Sequence, residues 1–252
     1  MSDQEISSIG NPDLSVVVPV HNESENIAPL ISEIRDALDG KLNYEVVYVD
    51  DGSTDDTLEI LRSIAGQFSR LRIIRHQECF GQSAAIWTGI KEARGRWIAT
   101  LDGDGQNDPK DILKIIESTG GLERLDPNVV LCGFRKKRRD TWVKRASSRI
   151  ANGIRKALLK DNTLDTGCGL KVFAREAYMS LPFFDHMHRF LPALFLSKGA
   201  RVESVEVNHR PRHKGVTHYG IRNRLWVGII DLLGVMWLRR RMKNPEAREE
   251  KI

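Results

Sequence analysis

The sequence predicts an α/β fold in which a mostly parallel β-sheet is flanked by helices. Short β-branched runs alternate with apolar stripes at helical spacing through the first half of the chain, which favours βαβ units with right-handed crossovers. Clusters of polar residues follow the predicted strands, as ligand-binding residues do in open parallel sheets. A chain of 252 residues with 40% hydrophobic and 29% charged residues is also long and apolar enough for one large globular domain.

The individual elements follow from the apolar patterns in chain order. Residues 15–20 form a β-branched run typical of a buried strand, and apolar residues spaced by three and four over 27–38 predict a helix that ends before Gly40. The same patterns predict further strands at 44–49, 71–74, 97–101 and 202–207, and further helices at 58–68 and 81–93.

The net charge of +5 conceals a division between the two halves of the chain. Residues 1–134 carry 12 Lys or Arg and 23 Asp or Glu, whereas residues 135–252 carry 27 and 11. An acidic half suits metal ions, and a basic half suits phosphate, nucleic acid or an anionic membrane surface. A nucleic-acid binder would leave the acidic clusters unexplained, so we expect no nucleic-acid partner.

Two apolar stretches in the basic half are candidates for contact with lipid. Residues 225–238 form an apolar run that is interrupted by Asp231 and flanked by arginines; it is too short to span a bilayer but is typical of an interfacial helix. Residues 181–196 are rich in Phe and Leu, and ordinary core packing is the alternative for both stretches.

The remaining sequence features indicate a cytoplasmic protein. No run reaches the roughly 18 apolar residues of a membrane span, and the N-terminal residues lack the pattern of a secretory signal. Three widely separated cysteines disfavour a disulfide framework and a cysteine zinc site. We therefore expect a peripheral protein on the inner face of the cytoplasmic membrane.

The segment Asp102-Gly103-Asp104-Gly105-Gln106 follows a predicted strand and is the strongest sign of chemistry. Two carboxylates two residues apart provide the oxygen ligands that Mg²⁺ and Mn²⁺ prefer, and the glycines allow a diphosphate to approach the backbone. An EF-hand calcium loop is excluded, because the position that requires glycine holds Asn107 and the twelfth position holds Leu113. A solvated acidic turn is the alternative.

Two further polar clusters follow predicted strands. The carboxylates of Asp50-Asp51 suit hydrogen bonds from a nucleotide base or ribose, and the alternative is a helix N-terminus capped by Ser53 or Thr54. His21 suits stacking on a base and Glu23 suits a ribose donor, and the alternative is a turn that leads into a helix. Because parallel strands end at one edge of a sheet, we expect the acidic clusters to face one crevice.

Four motifs in this order resemble family 2 glycosyltransferases of the GT-A fold: V-V-V-P-V-H-N-E, V-D-D-G-S-T-D, G-Q-S-A-A and T-L-D-G-D-G-Q-N-D-P. In the second half, residues 133–135, 144–149, 165–169 and 212–219 are similar to polyprenyl-phosphate glycosyltransferases, a group that includes dolichyl-phosphate mannose synthases and undecaprenyl-phosphate aminoarabinose transferases. The resemblance covers roughly residues 14–240.

The resemblance implies a hexosyltransferase that moves a sugar, with inversion, from a nucleotide-diphosphate sugar to a polyprenyl phosphate, with Mg²⁺ or Mn²⁺ as cofactor. It assigns nucleotide-sugar contacts to Pro19, His21, Asn22, Glu23, Asp50, Asp51, Asp102 and Gln106, metal ligation to Asp102, Asp104 and Gln106, acceptor-phosphate contacts to Arg135, Arg149, Thr217 and His218, and catalytic roles to Asp104, Arg135 and Arg212. Thr217 and His218 stand where Ser and Lys are common, so the hydroxyl is kept and the positive charge becomes conditional on pH.

The same resemblance predicts the domain organisation. It implies a tail at 1–13, a GT-A domain at 14–220 and a basic membrane-associating helix and tail at 221–252. Within the domain, a nucleotide-sugar half at about 14–134 precedes an acceptor half at about 135–220.

Two alternative functions stay open, and one of them depends on the nature of the acceptor. A phosphate monoester is largely dianionic above its second pKa of about 6 and needs no general base, whereas a sugar hydroxyl would need one. A family 2 glycosyltransferase that acts on a saccharide or glycolipid hydroxyl in cell-envelope polysaccharide synthesis is therefore the alternative, and a sugar-nucleotide-binding subunit without catalysis is another. The sequence leaves the donor base, the sugar, the prenol length and the oligomeric state open.

Overall fold

The computed structural model describes residues 11–136, 153, 158–159, 161, 163–208, 210 and 221–243, and of residues 221–227 it describes the backbone alone. Strands and helices alternate through this part of the chain, as the apolar pattern predicts. In chain order the elements are β1 (Leu14–Val20), α1 (Ser24–Leu38), β2 (Tyr44–Asp51), α2 (Thr57–Ala65), β3 (Leu71–His76), α3 (Gln82–Glu92), β4 (Trp97–Thr100), α4 (Lys110–Glu117), β5 (Val129–Arg135), β6 (Lys171–Ala174), α5 (Arg175–Met179), α6 (Leu191–Ser197), β7 (Arg201–Val207) and α7 (Ile221–Arg241).

The strands form one seven-stranded sheet in the order β3-β2-β1-β4-β6-β5-β7. The first four strands run parallel to one another, β6 is antiparallel to both of its neighbours, and β5 pairs in parallel with β7. The chain steps outward from β1 through β2 to β3 and then returns to the other side of β1 as β4. This reversal between β1 and β4 is the position where open α/β sheets form a ligand crevice.

Both faces of the sheet are covered, which explains why β1 is apolar along its whole length. Val16 and Val18 point to the face that α1 and α4 cover, whereas Val17 points to the face that α3 and α6 cover. Each of these valines is completely buried, a burial that contributes roughly 1.5–3 kcal/mol per side chain.

The start of α2 differs from the expected one. Neither Ser53 nor Thr54 caps the helix, because α2 begins at Thr57, whose amide and hydroxyl both donate to Oδ1 of Asp55. The prediction of a cap at Ser53 or Thr54 is therefore wrong. Both residues instead contact Asn22 after β1.

The two apolar stretches of the second half have different surroundings. In the first, Leu181, Phe190 and Phe195 are buried in the core, so core packing accounts for most of residues 181–196, and Phe183 is 49% exposed. The second lies in α7, which packs Val235 onto the domain. Within the described residues, no helix combines the length and the hydropathy that crossing a bilayer requires.

Candidate active site

The polar motifs of the first half meet at the carboxyl ends of β1, β2 and β4. Asp50 and Asp51 are the last two residues of β2, and Asp102 follows β4. Gly103 packs directly on the end of β1, since a Cβ there would come within 2.4 Å of a methyl carbon of Val20 and within 2.9 Å of the carbonyl oxygen of Pro19. The acidic loop after β4 and the motif after β1 therefore share one crevice.

Asp102 is held in a fixed orientation inside this crevice. Gln82 at the start of α3 donates from Nε2 to Oδ1 of Asp102 at 2.9 Å. The other carboxylate oxygen occupies the space beside Gly169, where a Cβ would come within 2.2 Å of Oδ2. Although part of the residue surface is accessible, the carboxylate is desolvated, and burial together with the charge of Asp104 raises the pKa of Asp102 to about 6.

The three predicted metal ligands lie on one loop. Asp104 accepts a hydrogen bond from the backbone amide of Gln106 through Oδ1 at 3.1 Å, and its charge acts on Asp102. The described residues contain no cluster of three or more His, Cys, Asp or Glu side chains with metal-site geometry. Two neighbouring carboxylates and an amide provide oxygen donors that fit a hard divalent cation whose other ligands are phosphate or water.

Arg135 lies at the end of β5 and forms a bidentate ion pair with Asp165. Nε donates to Oδ2 at 2.6 Å and Nη2 donates to Oδ1 at 3.0 Å, a geometry that fixes the plane of the guanidinium. Burial alone would lower the pKa of Arg135, but the hydrogen bonds and the charge of Asp165 raise it. The charges of Arg135 and Asp102 also act on each other, which places a permanent cation beside the acidic loop.

Lys171, the first residue of β6, is a second cation under this loop. The residue is 4% exposed, and its Nζ donates to the carbonyl oxygen of Cys168. Its positive charge stabilises the ionised form of Asp102 and acts on His188. A buried lysine at this position supplies positive charge on the chain's own side of the crevice.

The residues after β1 form a tight network with the residues after β2. The Nδ1 atom of His21 donates to the carbonyl oxygen of Asp51 at 2.7 Å, which leaves Nε2 as the acceptor that faces the Asn22 amide at 3.3 Å. Asn22 has a positive φ of 55° and accepts from the backbone amide of Thr54 at 2.8 Å. Glu23 accepts from Asn26 at 2.6 Å.

The two aspartates that end β2 have different surroundings. Asp51 accepts from His76 at 2.7 Å and from the amides of Phe80 and Gly81 at 2.9 and 2.8 Å, so its carboxylate holds the segment that leads into α3. Burial would raise the pKa of Asp51, but these hydrogen bonds lower it below its usual value.

Asp50 is completely buried and accepts from the amide of Ser53 through Oδ1. Its Oδ2 has no hydrogen-bond partner in the part of the chain that the structure describes, and Nε of Arg75 lies 3.6 Å away. An acceptor of this kind fits an N–H donor from a ligand.

Arg210 connects the exit of β7 to the acidic loop after β4. Its backbone amide donates to the carbonyl oxygen of Gln106 at 3.2 Å, and its guanidinium pairs with Asp108 at 2.6 Å and with Glu33 of α1 at 2.7 Å. It is the last described residue before the segment that carries Arg212, Thr217 and His218. Those three residues and Arg149 lie outside the described residues, and their assigned roles stay predictions.

Four of these residues had no assigned role at the sequence level: Gln82, Asp165, Lys171 and Arg210. Gln82 and Asp165 stand in motifs that carry the family resemblance, G-Q-S-A-A and D-T-G-C-G, so the motifs marked the segments but not the side chains that matter. Lys171 has no such signal, because a lysine at the start of a strand is usually exposed.

The chain is similar in sequence to known glycosyltransferases. Residues 15–181 match the model of Glycosyl transferase family 2. The chain is 38% identical over 238 residues to dodecaprenyl-phosphate galacturonate synthase of Rhizobium johnstonii, with 92% of this chain and 69% of that protein covered. It is 32% identical over 210 residues to undecaprenyl-phosphate 4-deoxy-4-formamido-L-arabinose transferase of Aeromonas hydrophila, with 82% and 63% covered. The chain thus spans about two thirds of the length of these relatives.

Solved structures show the same fold. Glucosyl-3-phosphoglycerate synthase from Mycobacterium tuberculosis, in complex with Mn²⁺, uridine diphosphate and glucosyl-3-phosphoglycerate, aligns with a TM-score of 0.65 at 18% identity, covering 97% of this chain and 86% of that one. The same enzyme in complex with Mg²⁺ and uridine diphosphate aligns with the same TM-score and identity, covering 97% and 85%. These likenesses confirm the GT-A fold that the sequence motifs predict.

Proposed function

The chain belongs to glycosyl transferase family 2, and from this premise we propose that it transfers a sugar from a nucleotide diphosphate to a polyprenyl phosphate with inversion. The observation that carries the proposal is the pair of opposite charges at one sheet edge, an acidic loop at Asp102 and Asp104 beside a fixed guanidinium at Arg135. The names of two relatives, both polyprenyl-phosphate sugar enzymes, support the acceptor class.

The nucleotide is proposed to lie over the carboxyl ends of β1 and β2. The Oδ2 atom of Asp50 pairs with Arg75 at 3.6 Å and accepts no hydrogen bond from the described residues, which supports contact with an N–H group of the base, and the exposed ring of His21 supports stacking. The network of Asn22 with Ser53 and Thr54 fixes the loop that bears His21 and Glu23. Asp51 is proposed to hold the segment before α3 in place, because both of its carboxylate oxygens accept hydrogen bonds from that segment.

The diphosphate is proposed to lie at the acidic loop after β4, which carries the predicted metal ligands. Asp102, Asp104 and Gln106 would hold Mg²⁺ or Mn²⁺, which when bound would neutralise charge that develops on the departing nucleotide diphosphate. Gly105 has a φ of 71°, and no atom of the described residues would lie within 4 Å of a Cβ at this position, so these residues leave space at the loop for phosphate oxygens. Lys171 contributes positive charge from beneath the same loop.

The acceptor phosphate is proposed to approach from the side of Arg135. An oxygen of the phosphate forms the new bond to the anomeric carbon, while the bond from that carbon to the diphosphate oxygen breaks and its electron pair leaves with the nucleotide. Because the phosphate is already anionic, the reaction proceeds without a general base. Asp165 holds the guanidinium in place so that it stabilises negative charge at no cost of reorganisation.

The enzyme is further proposed to work at the inner face of the cytoplasmic membrane, where a polyprenyl acceptor resides. The face of α7 that points away from the domain carries Ile230, Leu233 and Trp237, each more than half exposed. Arg239, Arg240 and Arg241 follow in the last turn of the helix. Exposed apolar side chains with adjacent arginines suit the interface of an anionic bilayer.

Product formation by the purified chain tests the function. The chain is incubated with Mn²⁺, undecaprenyl phosphate and a panel of UDP- and GDP-sugars, and the lipid extract is analysed by mass spectrometry; we expect one glycosyl phosphate lipid. Asp104→Asn is expected to lose at least about 100-fold in kcat while it keeps its thermal stability. A glycoside formed only on a saccharide or glycolipid hydroxyl would replace this proposal with the alternative acceptor class.

A further inference from the structure

The first turn of α3 is anchored on both sides of Gln82, the residue that holds Asp102. On one side, the Asp51 carboxylate accepts from the backbone amides of Phe80 and Gly81. On the other side lies Ser83, which is completely buried. Gln82 thus has little freedom to move, and its side-chain amide reaches Oδ1 of Asp102 at 2.9 Å.

The anchor of Ser83 is His188, which is 105 residues away in sequence. The Ser83 oxygen accepts from the backbone amide of His188 at 3.2 Å and lies within hydrogen-bond distance of Nδ1 of the same residue, at 2.7 Å. With Nδ1 as the acceptor of the Ser83 hydroxyl, the neutral ring carries its proton on Nε2. Burial, with the positive charges of Arg189 and Lys171 nearby, lowers the pKa of His188 to about 3, so the ring stays neutral in the working range of an enzyme.

The position of His188 is itself well defined. It lies in a short 3₁₀ turn, Met187–Arg189, whose Met187 is completely buried and whose next residue, Phe190, is buried in the same core cluster. The preceding residue, His186, has a positive φ of 64° and pairs with Asp231 of α7 through Nδ1 at 3.0 Å. The turn is therefore fixed by the core and by α7, independently of α3.

We propose that His188 is a positioning residue that aims Gln82 at Asp102 by fixing Ser83. The chain of contacts runs from a rigid turn to the Ser83 hydroxyl, through the adjoining Gln82, to the carboxylate that we propose as a metal ligand; the inference rests on the proposed function for that last step. Hydrogen bonds that orient a ligating carboxylate typically contribute 10–100-fold to metal affinity. A neutral ring suits this task, since it offers a constant acceptor at Nδ1.

The test measures Mn²⁺ binding to the full chain by electron paramagnetic resonance, with and without UDP. His188→Leu is expected to raise the dissociation constant for Mn²⁺ about 10-fold, and Gln82→Leu by a similar factor. The double variant is expected to be no worse than Gln82→Leu, because His188 acts through Gln82. Multiplied effects in the double variant, or unchanged affinity in His188→Leu, would overturn the proposal.

Two further variants separate positioning from folding. His188→Asn keeps an acceptor near the place of Nδ1 and is expected to restore most of the affinity, whereas Ser83→Ala removes only the hydroxyl and is expected to match His188→Leu even if the latter folds poorly. Arg189→Gln is the matched control in the same turn, because Arg189 is exposed and the contacts that fix the turn come from Met187, Phe190 and His186. It is expected to bind Mn²⁺ as the unchanged chain does.

A crystal structure of Ser83→Ala separates this proposal from that of the metal site. The distance between Nε2 of Gln82 and Oδ1 of Asp102 is expected to lengthen beyond hydrogen-bond range, whatever the chain does with Mn²⁺. If the unchanged chain fails to bind Mn²⁺ but the distance lengthens, the metal role fails and the positioning role stands. An unaltered distance in Ser83→Ala would refute the positioning role.

Discussion

A single missing methyl group decides where the Asp102 carboxylate lies. A Cβ on Gly169 would come within 2.2 Å of Oδ2 and within 2.3 Å of the carboxyl carbon of Asp102. Gly169→Ala is expected to push the carboxylate away from Gln82 and to lower kcat/KM at least about 10-fold, because the displaced group is the end of a side chain and the backbone needs no shift. Steady-state kinetics and thermal unfolding of the same sample measure the two effects.

Gly66→Ala is the matched control for that substitution. Its new Cβ would meet the nearest atom at an ordinary 3.6 Å, far from the crevice. It is expected to keep full activity. Equal activity of Gly169→Ala and the unchanged chain would show that the space beside Asp102 has no role in function.

The raised pKa of Asp102 has a consequence for stability. Its value is about 6 in the folded chain and near 4 in an unfolded one, so the folded state alone holds this proton between those pH values. The stability that the protonated group contributes is complete below about pH 4 and is lost as the pH rises through 6. The side chain of Asp102→Asn is neutral at every pH. The free energy of unfolding of this variant is therefore expected to be about 1–3 kcal/mol higher than that of the unchanged chain at pH 7.5 without metal.

Urea unfolding in EDTA at pH 4.5 and 7.5 checks this expectation. The difference in free energy of unfolding between Asp102→Asn and the unchanged chain should grow with pH. A difference that is the same at both pH values would mean that ionisation of Asp102 does not destabilise the folded chain.

Sequence patterns group contiguous residues of the candidate site but not the distant residues that contact them. Asp102, Asp104 and Gln106 fall within five consecutive positions, so their spacing and the preceding strand were enough to group them. The partners that orient them are far away: Gln82 is 20 residues before Asp102, and Asp165 is 30 residues after Arg135. Such pairs depend on strand order and crossovers, which local periodicity does not encode.

At the scale of elements, the pattern identified β2 and α2 within three residues of where they begin and end, whereas the local signal for a helix cap was misleading. The apolar run of β2 identified the strand, and its two aspartates prove to be its last residues. The Ser53–Thr54 pair looked like a helix cap because its local sequence is typical of one. It fails as a cap because Ser53 accepts from the amide of Asn22 at 2.9 Å, a residue on the loop after β1. A tertiary hydrogen bond has thus replaced a local one.

The contacts that Arg210 makes between the exit of β7 and the acidic loop after β4 lead to a prediction. Its guanidinium joins Glu33 and Asp108 on two elements, and its backbone joins Gln106. Arg210→Ala is expected to lower kcat/KM about 10-fold or more. The substitution removes the side-chain contacts that hold residue 210 at the acidic loop after β4, and the segment that carries Arg212 follows directly. Kinetics with varied acceptor and varied donor measure the loss.

Arg201→Ala, at the start of β7, provides the matched control. Arg201 also forms an ion pair, with Asp126 at 2.9 Å, but it is exposed at the opposite end of β7. Exposed pairs contribute about 0–1 kcal/mol, so activity should change less than about twofold. Equal losses in both variants would show that Arg210 contributes only to general stability.

At the scale of the whole molecule, the division of charge corresponds to a division of the sheet. The acidic half of the sequence forms β1 to β4, most of β5 and the crevice at the carboxyl ends of the first strands, whereas Arg135, Lys171 and Arg210 come from the basic half and approach that crevice from the end of β5, from β6 and from the exit of β7. The alternation of strands predicted the parallel part of the sheet. The insertion of β6 between β4 and β5 was not predictable, because four residues in an antiparallel strand leave no distinctive pattern.

The C-terminal helix leads to a prediction about the membrane. Val235 and Arg239 of α7 face the domain, where Val235 is buried and Nε of Arg239 donates to Ser197 at 2.7 Å. The opposite face leaves Leu233 and Trp237 58% and 62% exposed. The helix buries only one of its two apolar faces against its own domain. The other face is exposed and suits burial in a lipid bilayer.

The double variant Leu233→Glu/Trp237→Glu is therefore expected to reduce binding to vesicles of phosphatidylcholine and phosphatidylglycerol roughly 100-fold, because two apolar side chains contribute about 3 kcal/mol or more when they enter lipid. Co-sedimentation with vesicles measures the partition, and the turnover of a water-soluble short-chain acceptor reports whether the site is intact. Leu164→Glu, at an equally exposed leucine on another part of the surface, is the control and is expected to leave binding unchanged. Equal loss in the control would trace the effect to net charge, since both variants add carboxylates, whereas retained binding in the double variant would mean that this face of α7 does not enter the bilayer.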